Sequence, residues 1–317
     1  MADLFSDLFT PQELLGVVKR QQYIPSTLAT LFGEPRGLLG TDFVWDEDKH
    51  ESVDLITATA RGTPSGITAL QKDKAHTFST AHYRKDGSVF PDEVLNARQI
   101  GSVARQSVME RRDRVVTKLR NHLDLTLEYL RMQCVNSPTN SLGTAPASAA
   151  VAFGSSDTAI RSAIHTNIIK PLEEALDGVP FTGITVLCQD TFWLGLIESK
   201  TIRETYLNWT AAAETRGDTR DGFMFANIYW QRYRGTSTVD ITSGKAKVIP
   251  QGIPDLFIHA CAPADTMDQI GAGMRGGPYY MNAYPIDQGN RGWYIEAQTN
   301  PVMVCTRPEA ILTIGLT

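Results

Sequence analysis

Six apolar positions recur at helical spacing through GSVARQSVMERRDRVVTKLRNHLDLTLEYLRMQCV. Val116, Leu119, Leu123, Leu127, Leu130 and Cys134 fall 3, 4, 4, 3 and 4 residues apart. Such a stripe marks one face of an amphipathic helix. The spacing predicts a helix over 101–135, ended by the breaker NSPTN at Asn136–Asn140. At 1.5 Å per residue it would run about 50 Å, longer than a small core requires. Charge covers its other faces, so it is expected to lie half exposed across its own domain as a spine.

The flanks carry weaker patterns. Residues 11–33 read as two short helical pieces broken at Pro25, with Leu14, Leu15, Val18 and then Leu28, Leu31, Phe32 as their stripes. Pieces this short need another surface to lie on. From 43 to 95 the period turns to two: FVW, VDLITAT and HTFSTAHY, with the turn cluster ARGTPSG between them, predict a long two-stranded ribbon. It has too few apolar positions to form a core, and a lone hairpin is marginal in water, so something else must hold it.

Beyond the spine come a small-residue stretch, SLGTAPASAAVAFGSSD, and a helix, TAIRSAIHTNIIKPLEEALDG, interrupted near Pro171. GITVLC (183–188) predicts a buried strand, followed by a helix over 190–199, an α/β unit. GFMFANIYWQRYRG (222–235) predicts paired strands, and KVIPQGIPDLFIHACAP further short ones. The last run, TNPVMVCTRPEAILTIGLT, predicts two strands, PVMVC and AILTIGL, turned at the RPE that contains Pro308.

Composition changes this picture little. The 317 residues are 42% hydrophobic and 21% charged, an ordinary globular balance whose length suits about two domains. A net charge of −5 argues against a general nucleic-acid binder. The charge is uneven: residues 1–55 hold ten acids against four bases, whereas 105–131 hold seven bases against four acids. That asymmetry suits contact between copies, an acidic strap against a basic helix; two solvated faces of unequal charge explain it equally well. The candidate contact residues are Asp46, Glu47 and Asp48 on the strap and Arg111, Arg112 and Arg114 on the helix. Cys134, Cys188, Cys261 and Cys305 are widely spaced in apolar company, which predicts buried thiols in a reducing compartment. No basic leader opens the chain and no apolar run reaches membrane-spanning length.

Candidate chemistry is sparse. GAGMRGG has the glycine spacing of a dinucleotide fingerprint, but Pro278 and aromatics follow where a helix should receive the phosphate. His76 and His82, six apart on a predicted strand, share a face but have no further ligands at metal spacing. DEDKHE (Asp46–Glu51) reads first as a solvated acidic turn. No catalytic residue, metal ligand or cofactor is expected. The loud features are architectural: arm, ribbon, spine and compact domain.

Several phrases in shared order carry a resemblance: IPSTLATLFGE (24–34), YRKDGSVFPDEVLNARQIGS (83–102), GFMFANIYWQRYRG (222–235), IPQGIPDLFIHACAPAD (249–265), GGPYYMNAYP (276–285) and EAQTNPVMVCTRPEAILTIGLT (296–317). They resemble the major head proteins of tailed bacteriophages related to that of phage lambda. The resemblance implies an α+β chain with the Hong Kong 97 phage capsid fold. It divides into an N-terminal arm (1–42), an extended β-loop (43–86), a peripheral domain (87–182 and 286–317) holding the spine helix (101–136), and an axial domain (183–285). One departure lies at AVAFGSSD, where the lambda-like pattern has a β-hairpin. The implied function is a capsid subunit, not an enzyme. Its copies would form hexamers and pentamers around packaged double-stranded DNA, assembled in the bacterial cytoplasm. Scaffold, portal and decoration proteins are the implied partners, and no membrane or sequence-specific DNA contact is implied. A cargo-enclosing shell protein of the same fold, or an α/β enzyme with a dispersed site, are the alternative classes. In this frame the terminal strands are expected to finish the peripheral sheet beside the spine helix.

Overall fold

A start signal for the long helix is written into Ser107-Val-Met-Glu110. In the computed structural model the Ser107 side chain accepts from the Glu110 N–H at 3.2 Å, and the Glu110 carboxylate accepts from the Ser107 N–H at 3.3 Å. This reciprocal capping box satisfies two of the orphan donors at a helix start. Ser107 itself is extended (ψ 156°), so the helix runs Val108–Asn136 and does not begin at 101 as the apolar spacing suggested. The structure describes residues 27–47, 74–95, 107–138, 148–151, 157–176, 178–199, 222–236, 238–267, 274–286 and 291–316, with 146, 202 and 289.

In chain order the described elements begin with a helical turn α1 (Ala29–Phe32) and strands β1 (Arg36–Gly37), β2 (Asp42–Glu47), β3 (Lys74–Ser79) and β4 (Tyr83–Val89). Next are α2 (Pro91–Leu95), the spine α3 (Val108–Asn136), β5 (Ala149–Val151), α4 (Asp157–Ile164), α5 (Lys170–Leu176), β6 (Gly183–Cys188) and α6 (Asp190–Glu198). The remainder is strand: β7 (Phe223–Phe225), β8 (Ile228–Arg232), β9 (Lys245–Gln251), β10 (Phe257–Cys261), β11 (Tyr280–Pro285), β12 (Trp293–Thr299), β13 (Pro301–Cys305) and β14 (Leu312–Leu316).

The spine serves two small sheets. Its first half lays Val116, Leu119 and Leu123 on Val89, Met281, Ile295 and Ala297 of the sheet ordered β11-β12-β4. Strand and helix approach so closely that a Cβ on Gly87 would sit 2.5 Å from a Val115 methyl, which leaves glycine as the residue that fits. The second half turns Met132 and Val135 toward Phe257 and Cys305 of the sheet ordered β1-β10-β13. The buried face therefore continues through Arg131, Met132 and Val135, while Leu130 and Cys134 are only half buried.

A six-stranded mixed sheet, ordered β5-β14-β9-β6-β8-β7, forms the second body. One face buries Ile184, Val186, Val248, Leu312, Ile314 and Trp230 under the apolar stripes of α4, α5 and α6. Helices α4 and α5 are joined by a π-helical segment, His165–Ile169, where the Lys170 N–H reaches back to the His165 carbonyl. Pro171 explains it. Proline has no N–H and its ring clashes with the carbonyl four residues back, so one wider turn lets the helix pass the interruption without breaking. The other face of the sheet meets the C-terminal end of the spine, through Leu187, Ile249 and Tyr233.

Two chain segments change sides relative to the expected domain limits. Strand β11, within the predicted axial span, pairs with β12 and packs on the spine. The terminal strand does the reverse. PVMVC does lie beside the spine as β13, but AILTIGL does not join it: β14 pairs antiparallel with β9 and parallel with β5 in the six-stranded sheet. The reason is burial. The 3-10 turn Pro308–Ala310 carries the chain over so that Ala310, Leu312 and Ile314 enter the larger core. The AVAFGSSD segment contributes β5 there, paired with β14 and held also by Asn167 Nδ2 donating to the Ala150 carbonyl at 3.3 Å. His76 and His82 also separate: His76 stays on β3, whereas His82 lies past its end with Nδ1 2.7 Å from Asn300 Oδ1.

A buried lysine joins the two bodies. Lys247 Nζ donates to the last carbonyl of the spine, Asn136, and to Thr313 Oγ1, both at 2.8 Å. Burial, with a smaller push from Lys245, pulls its pKa down to about 8. Because unfolded lysine titrates near ~10.4, the unfolded chain binds the extra proton between those values and stability rises with pH there. Comparing wild type with Lys247→Met in urea melts from pH 7 to 10.5, the wild type should gain about 1–3 kcal/mol on the variant as pH rises. Deleting residues 310–317 should leave β9 unpaired on one side and β5 detached, with loss of soluble folded protein by circular dichroism.

Candidate assembly surfaces

The ribbon forms because β2 and β3 pair antiparallel from Asp42↔Ser79 to Glu47↔Lys74, closed at the base by Ser79 Oγ donating to Asp42 Oδ1 at 2.8 Å. Alternation sorts its faces. Phe43 and Phe78 pair on one side, ring centroids 6.4 Å apart, and Trp45 stands 6.5 Å from His76. This face rests on Ile258, Ala260, Val302 and Val304, the outer side of the β10–β13 sheet, which supplies the support the ribbon lacks by itself. The opposite face carries exposed Asp42, Val44 and Asp46. The predicted strand VDLITAT lies outside the described residues.

The arm enters through Leu28 and Phe32, both buried, with the Phe32 ring 4.8 Å from that of Phe257. Its two-residue strand β1 pairs parallel with β10. Gly276 then caps the arm: its N–H donates to the Leu38 carbonyl at 2.8 Å, and a Cβ there would sit 2.0 Å from the Cys261 carbonyl. This backbone-to-backbone clamp gives Gly276 of the GAGMRGG run a packing role; Gly271 and Gly273 lie outside the described residues. Arg36 pairs with Asp255 beside it.

Two of the candidate contact residues have ion-pair partners within the chain. Arg111 bonds Glu93 at 2.9 Å, and Arg112 is buried with its guanidinium 2.9 Å from Asp113. Their partners are in the same chain, so the structure does not bring the strap and these two arginines together. Arg114 is exposed, Asp46 is exposed on the ribbon, Glu47 ends β2, and Asp48 lies outside the described residues.

Polar groups inside the body join its parts. Glu128 of the spine accepts from Tyr233 Oη at 3.1 Å and from the Leu28 N–H, which ties arm, spine and larger sheet at one carboxylate. Burial raises its pKa against these partners. His259 is held neutral, its pKa lowered to about 4 by burial and by Arg131. Burial pushes the Cys261 and Cys305 thiols up to about 12, which suppresses the nucleophilic thiolate. Among the described residues no three His, Cys, Asp or Glu side chains are grouped to hold a metal ion.

The last surface is a cleft of about 500 Å³ between ribbon and spine. Phe78 and Ser79 form one wall, Leu130 and Cys134 the other, and β13 its floor. Helical spacing marked Leu130 and Cys134 as apolar; it did not reveal that they flank a strand edge.

The comparisons with known proteins agree with this architecture. The sequence profile of the family described as phage major capsid protein E matches residues 10–315. A major capsid protein of Pseudomonas phage KPP10 is 23% identical over 301 residues, covering 84% of this chain and 85% of that protein. The mature capsid of bacteriophage PhiM1 aligns over 94% of this chain and 89% of its own with a TM-score of 0.56 and 12% identity. The capsid of Ralstonia phage GP4 aligns over 93% and 94%, with a TM-score of 0.52 and 13% identity. At such identities the structural likeness establishes the fold, that of Hong Kong 97-type phage capsids.

Proposed function

The chain belongs to the phage major capsid protein E family and is a major capsid protein of a phage, forming the icosahedral shell; from this premise we propose how its parts divide the work. The observation that carries the reading is the family match across 10–315, which spans arm, ribbon, spine and both bodies. The arm and ribbon reach onto neighbouring copies. Residues of the six-stranded body gather around the axes of hexamers and pentamers. The domain limits 1–42, 43–86, 87–182 with 286–317, and 183–285 serve as the frame, with 280–285 reassigned to the spine and 312–316 to the axial body.

The physical support is uneven self-sufficiency. Both bodies have buried cores, whereas the ribbon buries one face only and exposes Val44 on the other. A standard interface buries about 1,600 Å², and projecting elements multiply such contacts per subunit. With a net charge of −5 the chain cannot neutralise phosphates densely, so double-stranded DNA is retained by enclosure. Scaffold, portal and decoration proteins, and assembly in the bacterial cytoplasm, belong to the same reading. The genome container is preferred over a cargo shell or a dispersed-site enzyme because the matched family is one of phage capsids.

Negative-stain microscopy of the purified protein should show closed shells or tubes; uniform particles of a few subunits would overturn the reading. The acidic strap has its own test. Reversing Asp46, Glu47 and Asp48 to lysine should lower shell yield at low salt, and adding Arg114→Glu should recover part of it. No recovery would mean that Arg114 is not the strap's partner. The effect should fade toward physiological salt, where the Debye length is about 8 Å.

A further inference from the structure

The four cysteines fold into different surroundings. Cys188 lies in the core of the six-stranded body, and Cys261 has its sulfur 3.3 Å from His259 Nε2. Cys134 and Cys305 share one place. Side chains alternate along β13: Val302 and Val304 turn to the ribbon, whereas Met303 and Cys305 turn to the spine. There Cys305 joins the cluster of Met132, Val135 and Phe257. Cys134 packs against that same cluster from the spine, at a heptad spacing that sets it about 20° round from the buried Leu127. Both cysteines line the cleft between ribbon and spine. Burial raises the Cys134 pKa, and the charge of an ionised Cys305 raises it further, so the two sulfurs lie within electrostatic reach.

The two thiols are unequal. Cys134 is half buried beside an open cleft, so a small solute reaches it first. Cys305 is 1% exposed, and its sulfur accepts from the Arg307 N–H, a bond that a disulfide sulfur can keep. Burial pushes the Cys305 thiol up to about 12 and raises Cys134 as well. The thiolate is the reacting form, so both react slowly and stay reduced where thiols are kept reduced. The chain between them is long. Five of the six strands of the larger sheet lie between Cys134 and Cys305, and only β14 follows.

We propose that Cys134 and Cys305 form a covalent modification site, which a peroxide converts to a disulfide within one chain, clasping the spine to β13. The Cys134 thiolate attacks one peroxide oxygen; the O–O bond breaks, hydroxide leaves, and a sulfenic acid forms. The Cys305 sulfur then attacks the Cys134 sulfur. The S–S bond forms, the S–O bond breaks, and the oxygen leaves as water with the Cys305 proton. In total two thiols and one peroxide give one disulfide and two waters, the two electrons passing from sulfur to oxygen. The bond closes a loop around most of the larger body, and a long loop is where a cross-link most restricts the unfolded chain. What the clasp is for rests on reading the chain as a shell subunit. Shells assemble in a reducing cytoplasm, and a released particle meets an oxidising medium, so the clasp forms after assembly and hardens the finished shell.

The test treats the purified full-length chain with hydrogen peroxide under native conditions, then denatures and alkylates it. Two of the four thiols should be lost, with the peptide of Cys134 joined to that of Cys305. The chain should still run as a monomer on non-reducing denaturing gels. Oxidised protein should melt about 5 °C or more above the reduced form, and dithiothreitol should reverse the shift. Linking should quicken about tenfold per pH unit while the thiolate is the minor form. Cys134→Ser should keep the reduced melting temperature and lose both link and shift; if that variant misfolds, the wild-type peptide map decides. Four alkylated thiols in a folded chain, a sulfinic acid at Cys134 without a link, or links between chains would overturn the inference. A chain that links but forms no shells would overturn the shell reading alone. Shells whose thiols never link would overturn the inference alone.

Discussion

One constraint governs the molecule: a single helix of 29 residues must bury an apolar stripe longer than any one small sheet can cover. At 1.5 Å per residue it extends about 44 Å, whereas strands of five to seven residues reach about 17–24 Å. The stripe is therefore shared. Val116, Leu119 and Leu123 take one sheet, and Met132 and Val135 another. Between them the buried face turns enough that Leu130 and Cys134 leave it. The cleft follows from this turn: Leu130 and Cys134 leave the buried face beside β13 and line it opposite Phe78 and Ser79.

The polar groups at the junctions have the same origin. Where the rod ends on the larger sheet, its last carbonyls need donors, and Lys247 supplies one to Asn136 while holding Thr313 of the terminal strand. Where the arm crosses the rod, Glu128 accepts from Leu28 and from Tyr233. Each buried polar group here spans two separately packed parts. Losing one partner would leave the other unsatisfied, which costs more than the net worth of the bond. Such contacts fix how the parts sit on each other more than they add stability.

The elements with a strong period were legible in the sequence. The spine stripe, GITVLC, the 222–235 hairpin and the strands on either side of Pro308 all reappear, because periodicity and proline report local geometry. The helix start was written as plainly in Ser107 and Glu110, a capping box that the apolar pattern overran. The destination of β14 was not legible. A run such as AILTIGL states that it is buried on both faces, not which sheet buries it, and only the pairing with β9 and β5 decides. Arg111 and Arg112 were legible only as an excess of charge; that Glu93 and Asp113 pair with them within the chain was not.

That internal neutralisation bears on how copies recognise one another. Surface ion pairs contribute about 0–1 kcal/mol and are screened by salt. With Arg111 and Arg112 paired within the chain, charge is a weak basis for holding a shell together. Burial of apolar surface is a stronger one, because salt does not screen it. An assembly contact of this kind tolerates divergence in sequence as long as the buried positions stay apolar and keep their volume. This chain and the KPP10 capsid protein share 23% identity along most of their lengths, and contacts made by apolar burial allow such drift while ion pairs have to change together.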